Sequence, residues 1–169
     1  MFTKIIHFIT FAFIFAGCAS SYPPLQTVKS VEISKYLGTW HEIARYENFF
    51  EKGCEKPNAT YSLNKDGTLK VENRCIKNGK NELALGEAYA IDESFARLKV
   101  SFFWPFYGDY QIIMLDDNYQ YAVIGEPSRK YFWILARTTK LDKDKLDNIL
   151  SKMADFGYDK NKLLWISQQ

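Results

Sequence analysis

A chain of 169 residues with a formal net charge of +2 is long enough for one domain with a sizeable core, and it has no charge excess to attract nucleic acid or another polyanion. Of these residues 47% are hydrophobic and 17% aromatic, with 11 Tyr and 13 Phe, a balance that favours half-buried strands. His7 falls in an apolar leader, so His41 is the one histidine of the mature chain. Without it neither a histidine-rich metal site nor a serine–histidine couple is available, and no glycine-rich phosphate loop appears. No metal and no cofactor are expected.

The N-terminus reads as a processed segment. Residues 1–4 carry one positive charge, 5–15 are apolar, and Ala16-Gly17 lead to Cys18, the layout of an export signal too short to span a bilayer. Phe15-Ala16-Gly17-Cys18 resembles a bacterial lipobox, with Phe15 where leucine is usual. The resemblance implies cleavage before Cys18 and acylation of its thiol and new amino group. With Ala19 following in place of an aspartate, it also implies sorting to the outer membrane. Residues 1–17 are then the signal peptide, 18–30 the acylated cysteine and its tether, with Pro23-Pro24, and 31–169 the folded domain.

Ser34 is placed to cap a short turn over 35–37 that delivers the chain to Gly38. Gly38 frees the turn, and the first strand, 39–46, aims Trp40 at one face of a sheet. In the loop over 47–57 Phe49 and Phe50 stand side by side, either tucked beneath it or forming a lid. Residues 58–63 and 68–76 alternate around Asp66-Gly67, a hairpin signal that pairs Leu63 with Thr68. That register puts Cys54 and Cys75 nearly opposite each other, and with Cys18 acylated they are the two cysteines left, so a disulfide is expected after export.

Five further strands are read at 83–91, 96–102, 108–115, 119–125 and 131–137. Together these make eight, and up-and-down closure into a barrel leaves no exposed edge. Leu146, Ile149, Leu150, Met153 and Phe156 recur at helical spacing between Asp142 and Gly157, so a helix over 143–156 should pack on the barrel wall. Residues 162–166 give a short last strand.

Several motifs then align in one order: Gly38-Thr39-Trp40, Ala59-Thr60-Tyr61-Ser62-Leu63, and Leu98-Lys99-Val100-Ser101-Phe102-Phe103 with Pro105-Phe106-Tyr107-Gly108. Leu115-Asp116-Asp117 before Tyr119 and Tyr131-Phe132-Trp133-Ile134-Leu135-Ala136-Arg137 complete the series. Over 36–167 the chain resembles the bacterial outer-membrane lipocalins, relatives of apolipoprotein D, with His41 where a tyrosine is common. The resemblance implies an all-β, eight-stranded antiparallel up-and-down barrel with a C-terminal α-helix packed outside. It assigns Gly38, Trp40 and Arg137 to the closed end, the guanidinium lying across the indole. It also places the aromatic hairpin over 103–107 at the open mouth, beside the 47–57 loop.

Alternation counted from Trp40, Trp133 and Arg137 predicts the inward set as Ala44, Ala59, Tyr61, Leu69, Val71, Gly86, Ala88, Ala90, Leu98, Val100, Phe102, Tyr110, Ile112, Met114, Tyr121, Val123, Trp133 and Leu135. Gly86, Ala88 and Ala90 leave room where a solid core would carry larger side chains, so a cavity for one small ligand is expected. Its contacts are read as Phe49, Phe50, Tyr61, Val71, Ala88, Val100, Phe102, Tyr110, Ile112 and Trp133. Glu42 also faces inward, either anchoring a head group or paired with an arginine or lysine. The chain therefore reads as a membrane-anchored binding protein for a fatty acid or lysophospholipid, without catalysis. The alternative is an envelope interaction protein whose mouth aromatics Trp104, Phe106 and Tyr107 dock a partner or a second copy as a homodimer. An esterase would depend on His41.

Overall fold

In the computed structural model residues 22–168 are described, so the leader and Cys18 lie outside the described residues. A one-turn helix α1 (Ile33–Tyr36) leads into β1 (Gly38–Tyr46), β2 (Glu55–Leu63), β3 (Leu69–Lys77), β4 (Lys80–Ala90), β5 (Arg97–Phe103), β6 (Phe106–Leu115), β7 (Tyr121–Gly125) and β8 (Phe132–Ala136). Consecutive strands pair antiparallel, and β8 and β2 both pair with β1, which closes the eight-stranded barrel. Glu32, not Ser34, holds the N-cap position of α1, and the Ser34 hydroxyl donates to the Glu32 carboxylate instead.

After the barrel come α2 (Lys143–Lys152) and a tighter turn (Met153–Phe156) that stops at Gly157, where a φ of 81° suits glycine. A short β9 (Leu163–Trp165) then joins the end of β1, where β2 has diverged from it. Because the strands meander, the β1–β2, β3–β4, β5–β6 and β7–β8 connections share one end of the barrel. This is the open end.

Apolar side chains collect in two places. Tyr36, Trp40, Tyr61, Leu69, Val71, Leu98, Ile112, Ile124 and Leu135 fill the closed half of the interior. Outside, Ile43, Tyr46, Ile113, Val123, Phe132 and Ile134 pack beneath Ile149, Met153 and Tyr158 of the helical segment. The wall formed by β1, β6, β7 and β8 is thus buried on both faces.

Four of the positions predicted to face inward face outward. In β1 the register shifts between Glu42 and Ala44, and in β6 between Ile112 and Met114. One extra residue reverses the alternation beyond it, so Ala44 and Met114 join the outer cluster. Tyr121 and Val123 lie there too, and Ala122 and Ile124 take the inner face of β7. The β2–β3 hairpin is one residue out of its predicted register, pairing Leu63 with Leu69. Cys54 and Cys75 are nonetheless bonded, with Cα atoms 5.4 Å apart.

Residues 22–30, read as tether, run along the barrel and continue into Val31. Leu25 and Val31 are buried, and the Val28 and Val31 amides donate to the carbonyls of Ile112 at 3.0 Å and Ser94 at 2.8 Å. The segment starts beside Arg129 in the β7–β8 turn, whose Nη2 donates to the Pro23 carbonyl at 2.8 Å. It therefore descends from the open end to the closed end.

Arg137 plugs the closed end. Its guanidinium carbon lies 3.8 Å from the centre of the Trp40 ring, and its nitrogens donate to the carbonyls of Thr39, Lys35, Tyr36 and Tyr119 at 2.6–3.3 Å. Trp40 Nε1 donates to the Tyr36 carbonyl at 2.8 Å. Gly38, at φ 93°, admits this packing, since a Cβ there would stand 3.4 Å from Arg137 Nη1.

Urea unfolding tests the plug and the disulfide. Arg137→Ala should lose about 3 kcal/mol, the sum expected for charge-assisted hydrogen bonds and a cation–π contact. Arg137→Lys should recover less than half of that, because an ammonium lacks the planar fork. Replacing both Cys54 and Cys75 by serine should also cost about 3 kcal/mol, by release of the 21-residue loop in the unfolded chain.

Candidate ligand-binding site

In a regular strand, residues i and i+3 point to opposite faces. The extra residue in β1 cancels that and brings Glu42 and Arg45 together on the inner face, Arg45 Nη1 donating to Glu42 Oε1 at 2.6 Å with both side chains buried. The β1–β2 loop then folds across the opening. Its Glu51 accepts from Arg45 Nη2 through the main-chain carbonyl at 3.1 Å and from Trp133 Nε1 through Oε2 at 3.0 Å. Asn48 braces the loop, its Oδ1 accepting from the Glu51 amide at 2.9 Å and its Nδ2 donating to the Glu51 carboxylate. Phe50 lies over Tyr131 and Trp133, ring centres 5.6 and 6.5 Å away, and Tyr131 stacks on Trp133.

One guanidinium thus serves two carboxylates under an aromatic cover. Burial, and then the charge of Glu51, push the Glu42 carboxyl up to about 8 against the opposing pull of Arg45. Burial thus favours the protonated form of Glu42 at neutral pH. Beneath it Tyr110 bridges two phenols, at 2.6 Å to Tyr36 and 3.0 Å to Tyr61. Burial raises all three, Tyr61 to about 12, so they stay neutral.

Accessible surface remains on inward-facing residues of the open half. Ala59, Val100, Tyr110 and Trp133 belong to the inner cluster yet are only half-buried, and Ala84, on the same face of β4 as Ala88, is exposed. Arg45 Nε and Asn73 Oδ1 are among four buried side-chain polar atoms without a hydrogen-bond partner, with Ser101 Oγ and Gln111 Oε1. Val71, Ala88 and Ile112 are fully buried and form floor and wall. Gly86 leaves room for protein atoms: a Cβ there would stand 2.8 Å from the Phe102 ring and 2.7 Å from the Ser101 carbonyl. Phe102 therefore sits at the rim. Phe49 is exposed and touches Phe50 edge-on, while Phe103 stacks on Phe106 within the β5–β6 hairpin and Tyr107 of β6 meets Tyr89 of β4 across β5. Alongside, where β9 has replaced β2, a groove of about 500 Å³ lined by Lys56, Leu164 and Trp165 reaches Arg45 from the barrel flank.

Arg45, Asn48, Glu51 and Asn73 carry polar functions that the sequence pattern did not single out. Arg45 was hidden by the irregularity, because regular alternation aims it outward. The acidic Glu51 next to Phe50 was the one visible sign that this loop turns a polar group inward.

A closed barrel plugged at one end, with accessible inward-facing apolar residues and a polar cluster beneath its mouth, is the architecture of a β-barrel that binds small molecules. Residues 31–168 match the model of the lipocalin-like domain. The outer membrane lipoprotein Blc of Citrobacter freundii is 41% identical over 165 residues, 95% of this chain and 93% of that protein. Blc of Escherichia coli K12 is 41% identical over 164 residues, 94% and 93%. Among solved structures the cockroach allergen Per a 4 superposes with a TM-score of 0.72 at 18% identity, over 89% of this chain and 97% of its own, a likeness of fold. The chain belongs to the lipocalin family.

The protonated Glu42 makes stability fall with pH. Unfolded, its carboxyl ionises near 4.5; folded, it holds its proton until about 8. Between those values the unfolded state binds fewer protons, so raising the pH favours unfolding. Thermal melts at pH 5, 6.5 and 8 should show the wild type losing stability across this range and Glu42→Gln giving a flatter curve. Identical slopes would assign the dependence to other groups.

Proposed function

We propose that this chain is an envelope lipocalin, anchored through acylated Cys18, that holds the acyl chain of a fatty acid or lysophospholipid in its barrel with the polar end towards the mouth. The observation that carries this reading is the open half of the interior, where Val100, Tyr110 and Trp133 face inward and keep accessible surface. An acyl chain supplies the missing apolar contacts. Arg45 Nε, which makes no hydrogen bond, supports a polar end at the same height. The outer membrane setting is supported by the names of the two Blc relatives. Its role would be to store, carry or scavenge lipid there, by binding and without turnover.

Binding then means partitioning. Each buried methylene contributes about 0.8 kcal/mol, or about fourfold in Kd. Titration of the delipidated protein with fatty acids and lysophospholipids of rising length, followed by tryptophan fluorescence, should give a ladder of that spacing that stops when the cavity is full. Trp133→Ala should bind about tenfold more weakly. If no acyl lipid binds, the reading fails.

A further inference from the structure

The open end carries an apolar tip that none of the described residues covers. Phe49 is 81% exposed, Phe103 75%, Trp104 78% and Phe106 71%, and the last three sit on the β5–β6 hairpin within four residues. Phe103 and Phe106 stack at 6.3 Å with planes 8° apart, so the tip has a fixed shape. A cluster of this kind on one loop marks an interaction surface.

The path of the N-terminal segment says what that surface meets. The Tyr22 ring lies 5.2 Å from the Arg129 guanidinium and Pro23 is bonded to the same side chain, so the described chain starts at the open end. Four peptide units separate Cys18 from Tyr22 and span at most about 14 Å. The wall is taller than this reach: β6 has ten residues, and at a tilt of about 40° it stands roughly 25 Å high. A membrane holding the acyl chains of Cys18 therefore cannot lie against the closed end.

We infer that the barrel mouth faces the bilayer, with the hairpin tip Phe103, Trp104 and Phe106, and with Phe49 of the neighbouring loop, seated in the lipid interface. Tryptophan and phenylalanine suit that depth, and two apolar loops flanking the mouth surround the entrance on the membrane side. A lipid then passes between bilayer and barrel without crossing water. This orientation rests on the anchoring reading of Cys18, and the test separates the two.

The mature full-length lipoprotein is purified, the mass of its N-terminal peptide is measured, and it is reconstituted into phosphatidylcholine vesicles containing lipids brominated near the head-group end of the acyl chain. With Cys18 acylated, bromolipids should quench the wild-type tryptophan emission, and Trp104→Phe should lose more than half of that quenching. A nitroxide at Lys65→Cys, in the closed-end turn after β2, should stay accessible to an aqueous nickel complex. Equal quenching of wild type and Trp104→Phe, or shielding of the Lys65 label by lipid, overturns the orientation. Loss of a dimer in Trp104→Phe without any lipid quenching gives the face to a second copy, and overturns it as well. An unmodified Cys18 removes the anchor and the orientation together.

Discussion

Closure of the barrel depends on Arg137 lying across Trp40. At the closed end main-chain carbonyls of α1, the start of β1 and the β6–β7 turn come together, and each is an acceptor that needs a partner. A planar guanidinium with five donors meets four of them and covers the indole face with the same atoms. Arg137 directly follows β8 and Trp40 lies near the start of β1, so the contact joins the two strands whose pairing completes the ring. The register set there is inherited above: Glu42 faces Leu135, and Arg45 faces Trp133.

The interior is therefore graded along its axis. Near the plug it is apolar and filled, with three neutral phenols tied by two hydrogen bonds. Near the mouth it carries Arg45, Glu42 and Glu51 beside Trp133, with space between side chains. The β1–β2 loop belongs to both halves of that gradient, since its Glu51 and Asn48 turn inward and its Phe49 turns out.

Legibility followed exposure to water. In β3 one face meets the interior and the other meets solvent, so Leu69 and Val71 alternate with exposed Lys70 and half-exposed Glu72, and the inward set there came directly from the pattern. In β7 all five residues are buried because the helical segment covers the outside, and alternation carries no phase when both faces are apolar. Val123 and Tyr121 were misplaced for that reason. The irregularities in β1 and β6 involve no glycine, so nothing in the local residues marked them. The hydrophobic periods of the helix, the Asp-Gly hairpin, the Gly-x-Trp start and the arginine of the last strand were all readable. The polar half of the site was not, because Arg45 enters the barrel through one of those irregularities.

A buried guanidinium between two carboxylates is weak evidence for stability, since well-packed apolar residues of similar volume commonly do as well or better. Here the arrangement is also incomplete. Arg45 Nε makes no hydrogen bond and stands 3.8 Å from Glu51 Oε2, and burial pushes the Glu42 carboxyl above its ordinary range. Such a group is retained where it does something apolar packing cannot. Its position fits one such use: it lies between the apolar half of the cavity and the mouth, at the height where an acyl chain fed from the open end would bring its polar end to rest. The plug at the other end, where Arg137 donates to four carbonyls, supplies the stability that tolerates such an arrangement.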